Sequence, residues 1–120
     1  MTSTPIVIAG TGVDVVELDD VRDIRHKRRF AEYFLTKKEM AALPEGTRAA
    51  QFLGSRFAAK EAVIKAFPGH LTPHDFRITK KGCRPTVVFC FLKLRRRYAA
   101  HVSLTHTSRI AAAIAIVYRL

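Results

Sequence analysis

The stretch Arg56-Phe57-Ala58-Ala59-Lys60-Glu61-Ala62-Val63-Ile64-Lys65-Ala66-Phe67 sits inside a longer run, residues 48–67, that is rich in helix formers. Phe52, Leu53, Phe57, Val63, Ile64 and Phe67 recur at helical intervals and Pro68-Gly69 ends the pattern, so one long helix is predicted from Arg48 to Phe67. Residues four apart share a helix face. Gly54, Ala58 and Ala62 therefore keep one side low, while Glu61 and Lys65 project as an acid and a base in register. Two readings follow from this spacing. A carboxylate beside a lysine among small neighbours can hold a divalent cation and a phosphate together, or the two can form an exposed helix pair contributing roughly 0.2–0.5 kcal/mol.

Upstream of this helix, Ile6 to Val13 is apolar and β-branched, interrupted only by Ala9 to Gly12, and reads as a buried strand ending near Asp14. Gly10 and Gly12 allow either a tight bend or a close backbone approach to a phosphate, and the third glycine of a dinucleotide fingerprint is missing. Asp19 and Asp20 offer N-cap chemistry for a helix running to about Arg29. Thr36-Lys37-Lys38-Glu39 has capping-box spacing, which predicts a short helix from Lys37 to Leu43, stopping before Pro44.

Downstream the period changes. Phe76 to Lys80 and Thr86 to Phe91 read as strands around the loop Lys81-Gly82-Cys83-Arg84-Pro85, followed by a short basic helix from Leu92 to Ala100. Val102 and Leu104 alternate with Ser103 and Thr105, and a second alternating run spans Ile110 to Tyr118. About five strands with helices clustered between the first and second make an α+β domain: an antiparallel sheet with one long helix and shorter helices packed on it.

The 120 residues suit a single domain, and 48% hydrophobic with 26% charged residues is the composition of a folded globule. Twenty-one Lys and Arg against ten Asp and Glu give +11, which favours anionic partners without choosing among nucleic acid, phosphorylated cofactor, acidic protein and membrane. The basic clusters at Arg22 to Arg29 and Lys93 to Arg97 lack interleaved aromatic platforms, so no nucleic-acid partner is expected. Cys83 and Cys90 build neither a disulfide framework nor a zinc site, and no signal peptide or membrane span is read, so a cytoplasmic protein with no membrane partner is expected. His106, Thr107 and Ser108 end a strand where side chains and amides can meet an anion, although the ordinary role of a lone histidine is a structural hydrogen bond.

Taken together, four blocks resemble the holo-acyl-carrier-protein synthase family of 4′-phosphopantetheinyl transferases. They are Gly10-Thr11-Gly12-Val13-Asp14-Val15-Val16-Glu17-Leu18, Phe34-Leu35-Thr36-Lys37-Lys38-Glu39, Phe52 to Ala62 continuing to Lys65-Ala66, and Val102-Ser103-Leu104-Thr105-His106-Thr107. They occur in the family's order and span nearly the whole chain. The resemblance implies magnesium-dependent transfer of 4′-phosphopantetheine from coenzyme A to a serine of an acyl carrier protein, releasing adenosine 3′,5′-bisphosphate. It implies Asp14 and Glu61 as metal-binding carboxylates, in keeping with the hard oxygen ligands magnesium prefers. Glu61 and Lys65 become the catalytic pair, with Lys65 facing the pyrophosphate or the leaving group. Lys60, Lys65, His106, Thr107 and, ranked lower, Arg56 become the residues that bind coenzyme A. Proteins of this size in the family form homotrimers with sites where subunits meet, so a trimer is expected, with His106 facing coenzyme A held by a neighbour. The chain departs from the family at Asp19 and Asp20, which stand where a basic residue for carrier docking is usual. The charge on that helix suggests docking through Arg22 and Arg25 instead, three apart on one face.

Overall fold

The computed structural model describes residues 5–120. The elements run β1 (Val7–Glu17), α1 (Leu18–Arg22), α2 (Lys27–Phe34), α3 (Lys37–Met40), α4 (Arg48–Ala66), β2 (Phe76–Lys81), β3 (Arg84–Phe89), α5 (Leu92–Arg97), β4 (Tyr98–His106) and β5 (Ile110–Arg119). Among the described residues the fold is α+β with five antiparallel strands, divided into a three-stranded sheet in the order β1-β5-β4 and a separate β2-β3 hairpin.

The alternation of β5 explains the layering. Ala111, Ala113, Ala115 and Val117 face inward and are buried, and the helix that covers them is α4. Small inward residues let that helix come close. On β1 the approach is closer still: a Cβ on Gly10 would lie 2.0 Å from the Ala66 carbonyl oxygen, and one on Gly12 2.0 Å from that of Ala62. Four helical residues rise about 6 Å and two strand residues about 6.7 Å, so the two contacts repeat in step along an antiparallel helix and strand. The two glycines therefore serve helix-on-strand packing. Neither the tight bend nor the phosphate approach considered from sequence is what they do, and β1 continues as strand through Asp14 to Glu17.

The helix expected from Asp19 to Arg29 is two helices. The chain breaks after Arg22, and Lys27 Nζ donates to the freed carbonyls of Arg22 (2.9 Å) and Ile24 (3.0 Å). The break lets Val21 from α1 and Ala31 and Phe34 from α2 enter one cluster with Ala50 and Leu53 of α4. Phe30, Phe34 and Phe57 stack within it at centroid distances of 5.0–5.6 Å. The basic helix α5 ends at Arg97, and β4 begins at Tyr98 rather than near Val102. Because α4 packs on the sheet on one side and on this aromatic cluster on the other, it is enclosed over most of its circumference.

Candidate active site

Lys65 leaves the last turn of α4 toward β1. Its Nζ lies 3.0 Å from Asp14 Oδ1 and donates to the Val13 carbonyl at 3.1 Å. The Asp14 side chain is 17% exposed and that of Lys65 53%, so the ion pair is open to solvent and contributes about 0–1 kcal/mol at most. Glu61 is half-buried and stands one turn earlier on the same helix face. Along β1, Ala66 lies beside Gly10, Ala62 beside Gly12 and Gly54 near Val16. Asp14 points to the same side of β1 as Gly12 and Val16, and so falls alongside the turn of α4 that carries Glu61. The fold thus brings together Asp14, Glu61 and Lys65 from two distant segments.

Arg56 and Lys60 are elsewhere. A helix turns about 100° per residue, which carries these two to the far side of α4 from Lys65, against α3 and β2. Lys60 is fully buried, and its ammonium donates to Glu39 Oε1 (2.8 Å), to the Pro73 carbonyl (2.6 Å) and to the Phe76 carbonyl, with the Phe76 ring 4.5 Å away. An ammonium has three N–H donors, and all three are committed. The role of nucleotide phosphate contact expected for Lys60 is thus at odds with its surroundings in this chain. Burial pulls the Lys60 pKa below the usual lysine value, opposed by the neighbouring Glu39 carboxylate. Arg56 is 7% exposed, stacks over Phe52 at 4.9 Å and enters none of the ion pairs among the described residues. It lines a cavity of about 320 Å³ with Lys38, Arg77 and Lys80.

His106 and Thr107 lie at the β4–β5 turn. His106 Nε2 is 2.9 Å from Gln51 Nε2, and Thr107 Oγ1 accepts from the amides of Arg109 and Ile110, both at 3.1 Å. Asp14 is paired across β5 at Ala113, which faces Leu104 on β4, and His106 is two residues further along. His106 therefore points to the same helix-covered face of the sheet as Asp14, displaced by two strands and two residues, roughly 12 Å at ordinary strand spacings, and Thr107 follows it in the turn. Arg22 and Arg25, expected on one helix face, are also apart, since Arg25 lies beyond the break and Arg22 is held by Asp19 Oδ1 (2.8 Å) and the Ser108 carbonyl (2.9 Å). Sequence reasoning missed Glu39 as the partner of Lys60. Its capping-box spacing was visible, but nothing local announces that the same carboxylate also accepts from the Ile78 amide at 2.8 Å.

A three-stranded sheet covered by one long helix, with two acids and a lysine on the shared edge, defines a small α+β domain with the site on the helix–strand seam. The chain belongs to the 4′-phosphopantetheinyl transferase superfamily, whose family profile matches residues 10–115. It is 39% identical to the holo-[acyl-carrier-protein] synthase of Listeria welshimeri over 119 residues, covering 92% of this chain and 98% of that one. The holo-[acyl-carrier-protein] synthase of Bacillus subtilis is 38% identical over 121 residues, covering 95% and 98%. The crystal structure of the Bacillus anthracis holo-(acyl-carrier-protein) synthase in complex with coenzyme A (3′,5′-ADP) superposes with a TM-score of 0.79 at 25% identity, covering 95% and 98%.

Proposed function

We propose that this chain transfers the 4′-phosphopantetheine group of coenzyme A to a serine of an apo acyl carrier protein through the Asp14, Glu61 and Lys65 surface. The serine Oγ–phosphorus bond forms as the pyrophosphate P–O bond breaks, the serine proton is lost, and adenosine 3′,5′-bisphosphate leaves. The observation that carries the reading is the convergence of Asp14 and Lys65 at 3.0 Å with Glu61 one turn away.

The donor set suits magnesium. Asp14 on β1 and Glu61 on α4 are the two carboxylates at the seam, and among the described residues no group of three or more His, Cys, Asp or Glu could hold a metal. Magnesium commonly takes one or two carboxylates and completes its shell with water and substrate phosphates. Asp14 and Glu61 would hold it, and when bound it supplies compensation for the charge that develops on the pyrophosphate. Lys65, whose ammonium is held by Asp14 and the Val13 carbonyl, would meet the charge passing to the leaving group. Arg56, on the far side of α4 and sharing its cavity with the Glu39 carboxylate, keeps a lower rank as a phosphate contact of coenzyme A.

The assembly is read as a homotrimer with shared sites. The outer face of the β1-β5-β4 sheet exposes Val13 (62%), Val15 (58%) and Ile114 (51%), an apolar surface that self-association would cover. His106 and Thr107, two strands away from Asp14 in their own chain, would then serve coenzyme A bound to a neighbour. No helix among the described residues is long and apolar enough to cross a membrane, and with Cys83 and Cys90 both free a cytoplasmic setting suits the chain. The test is incubation with coenzyme A, magnesium and apo acyl carrier protein, followed by intact-mass measurement of the carrier. The expected result is addition of one phosphopantetheine mass; an unmodified carrier across several carrier types contradicts the reading.

A further inference from the structure

The contact between α4 and β1 is smooth. Its closest contacts are Ala66 on Gly10 and Ala62 on Gly12, both alanines being buried. At these two points backbone packs on alanine with no large side chain interlocked, so they do little by themselves to fix how far α4 is rotated about its axis. Rotation matters because Glu61 and Lys65 leave from that helix toward Asp14, and catalytic groups tolerate displacements of only a fraction of an ångström.

The opposite side of α4 carries a device that does fix rotation. Lys60 reaches three elements at once: α3 through Glu39, β2 through the Phe76 carbonyl, and the segment before β2 through the Pro73 carbonyl. Glu39 is equally committed, accepting from Lys60, from the Thr36 amide at 2.8 Å and from the Ile78 amide at 2.8 Å. Both side chains are at least 98% buried, since their exposures are 1% and 2%. Such a fully satisfied polar cluster admits one geometry, because any movement strands a buried charge or amide. Lys60 and Glu61 are consecutive, so the direction of one sets that of the other, about 100° around the helix.

We propose that Lys60 is a positioning residue, which through Glu39 and two backbone carbonyls fixes the rotation of α4 and thereby aims Glu61 and Lys65 at Asp14. The proposal rests on the reading of Asp14 and Glu61 as the metal carboxylates, and it assigns Lys60 no contact with substrate. It also gives Glu39, on the far side of the helix from Asp14, a measurable effect on the metal site.

The test compares Glu39→Gln, Lys60→Met and the double variant Glu39→Gln, Lys60→Met, with Asp14→Asn as reference. Two readouts are taken: the free Mn2+ signal in electron paramagnetic resonance as Mn2+ is titrated into protein with coenzyme A, and the split of turnover into kcat and KM for coenzyme A. The expected result is that each single variant weakens Mn2+ binding at least fivefold and lowers kcat at least tenfold. KM for coenzyme A should change less than threefold, and the double variant should be no worse than the poorer single one, since the two residues act as one unit. Should Lys60→Met fail to fold, Glu39→Gln, which keeps the shape of the side chain, gives the same reading alone. A tenfold rise in KM for coenzyme A in Lys60→Met beside wild-type behaviour of Glu39→Gln makes Lys60 a phosphate ligand and overturns the proposal. Wild-type Mn2+ binding in Glu39→Gln and Lys60→Met, with loss in Asp14→Asn, overturns the proposal and leaves the metal reading intact. Wild-type Mn2+ binding in Asp14→Asn overturns that reading and this proposal with it.

Discussion

At Gly12 a single hydrogen atom decides how α4 meets β1. A Cβ there would stand 2.0 Å from the Ala62 carbonyl oxygen and 3.0 Å from the Ala66 amide nitrogen, both backbone atoms of a helix enclosed on its other side. Gly12→Ala is therefore expected to destabilise the protein by about 2 kcal/mol or more, at the upper end for overpacking. The measurement is the midpoint of urea unfolding, and an unchanged midpoint would mean that helix and strand can separate without cost. At Lys65 the expectation concerns rate: Lys65→Ala should lower kcat more than it raises KM for coenzyme A, because its charge counts most when negative charge moves to the leaving group. A rise in KM with kcat unchanged would assign Lys65 to ground-state binding. Glu61 and Lys65 could be paired from their spacing alone, and Asp14 was joined to them through the resemblance of four blocks to a family. Lys60 was misread from sequence because a lysine is ordinarily solvated, and the Glu39 that permits its burial lies in another helix.

Among the elements, the long helix and the five strands were legible, since period and helix-breaking residues are local signals. What was not legible depends on distant pairing. The division into a three-stranded sheet and a hairpin follows from β1 pairing with β5 across nearly the whole chain, and the break between α1 and α2 follows from the need of both to reach α4. That break changes the expected docking surface for an acidic carrier. Arg22 is held by Asp19 and Ser108, Lys27 by two carbonyls, and Arg28 lies 3.5 Å from Glu32. Arg25 and Arg29 are exposed and in none of the ion pairs among the described residues. A double Arg25→Glu, Arg29→Glu variant should raise KM for the carrier severalfold and flatten its salt dependence, with KM for coenzyme A unchanged. A carrier KM that does not move places docking elsewhere, with α5 and its Arg95 to Arg97 the next surface to vary.

For the whole molecule, the exposed apolar outer face of the three-stranded sheet is what supports the reading of a shared assembly. Ile114→Glu places a charge in the middle of that exposed apolar face, opposite Val13 in the β1–β5 register. In sedimentation the unmodified chain should behave as a trimer and the variant as a monomer with its helical circular dichroism retained and its turnover lost. A monomeric unmodified chain would remove the shared-site reading of His106 and Thr107 while leaving the Asp14 seam untouched. Glu61→Gln probes that seam most directly, because an amide of nearly the same shape is a much weaker magnesium ligand than a carboxylate. The measurement is phosphopantetheine transfer to apo acyl carrier protein over a magnesium titration, with unfolding followed in parallel. The expected result is a loss of at least a hundredfold in turnover at low magnesium with stability unchanged; wild-type turnover and magnesium response in Glu61→Gln would contradict the placing of the metal at this seam.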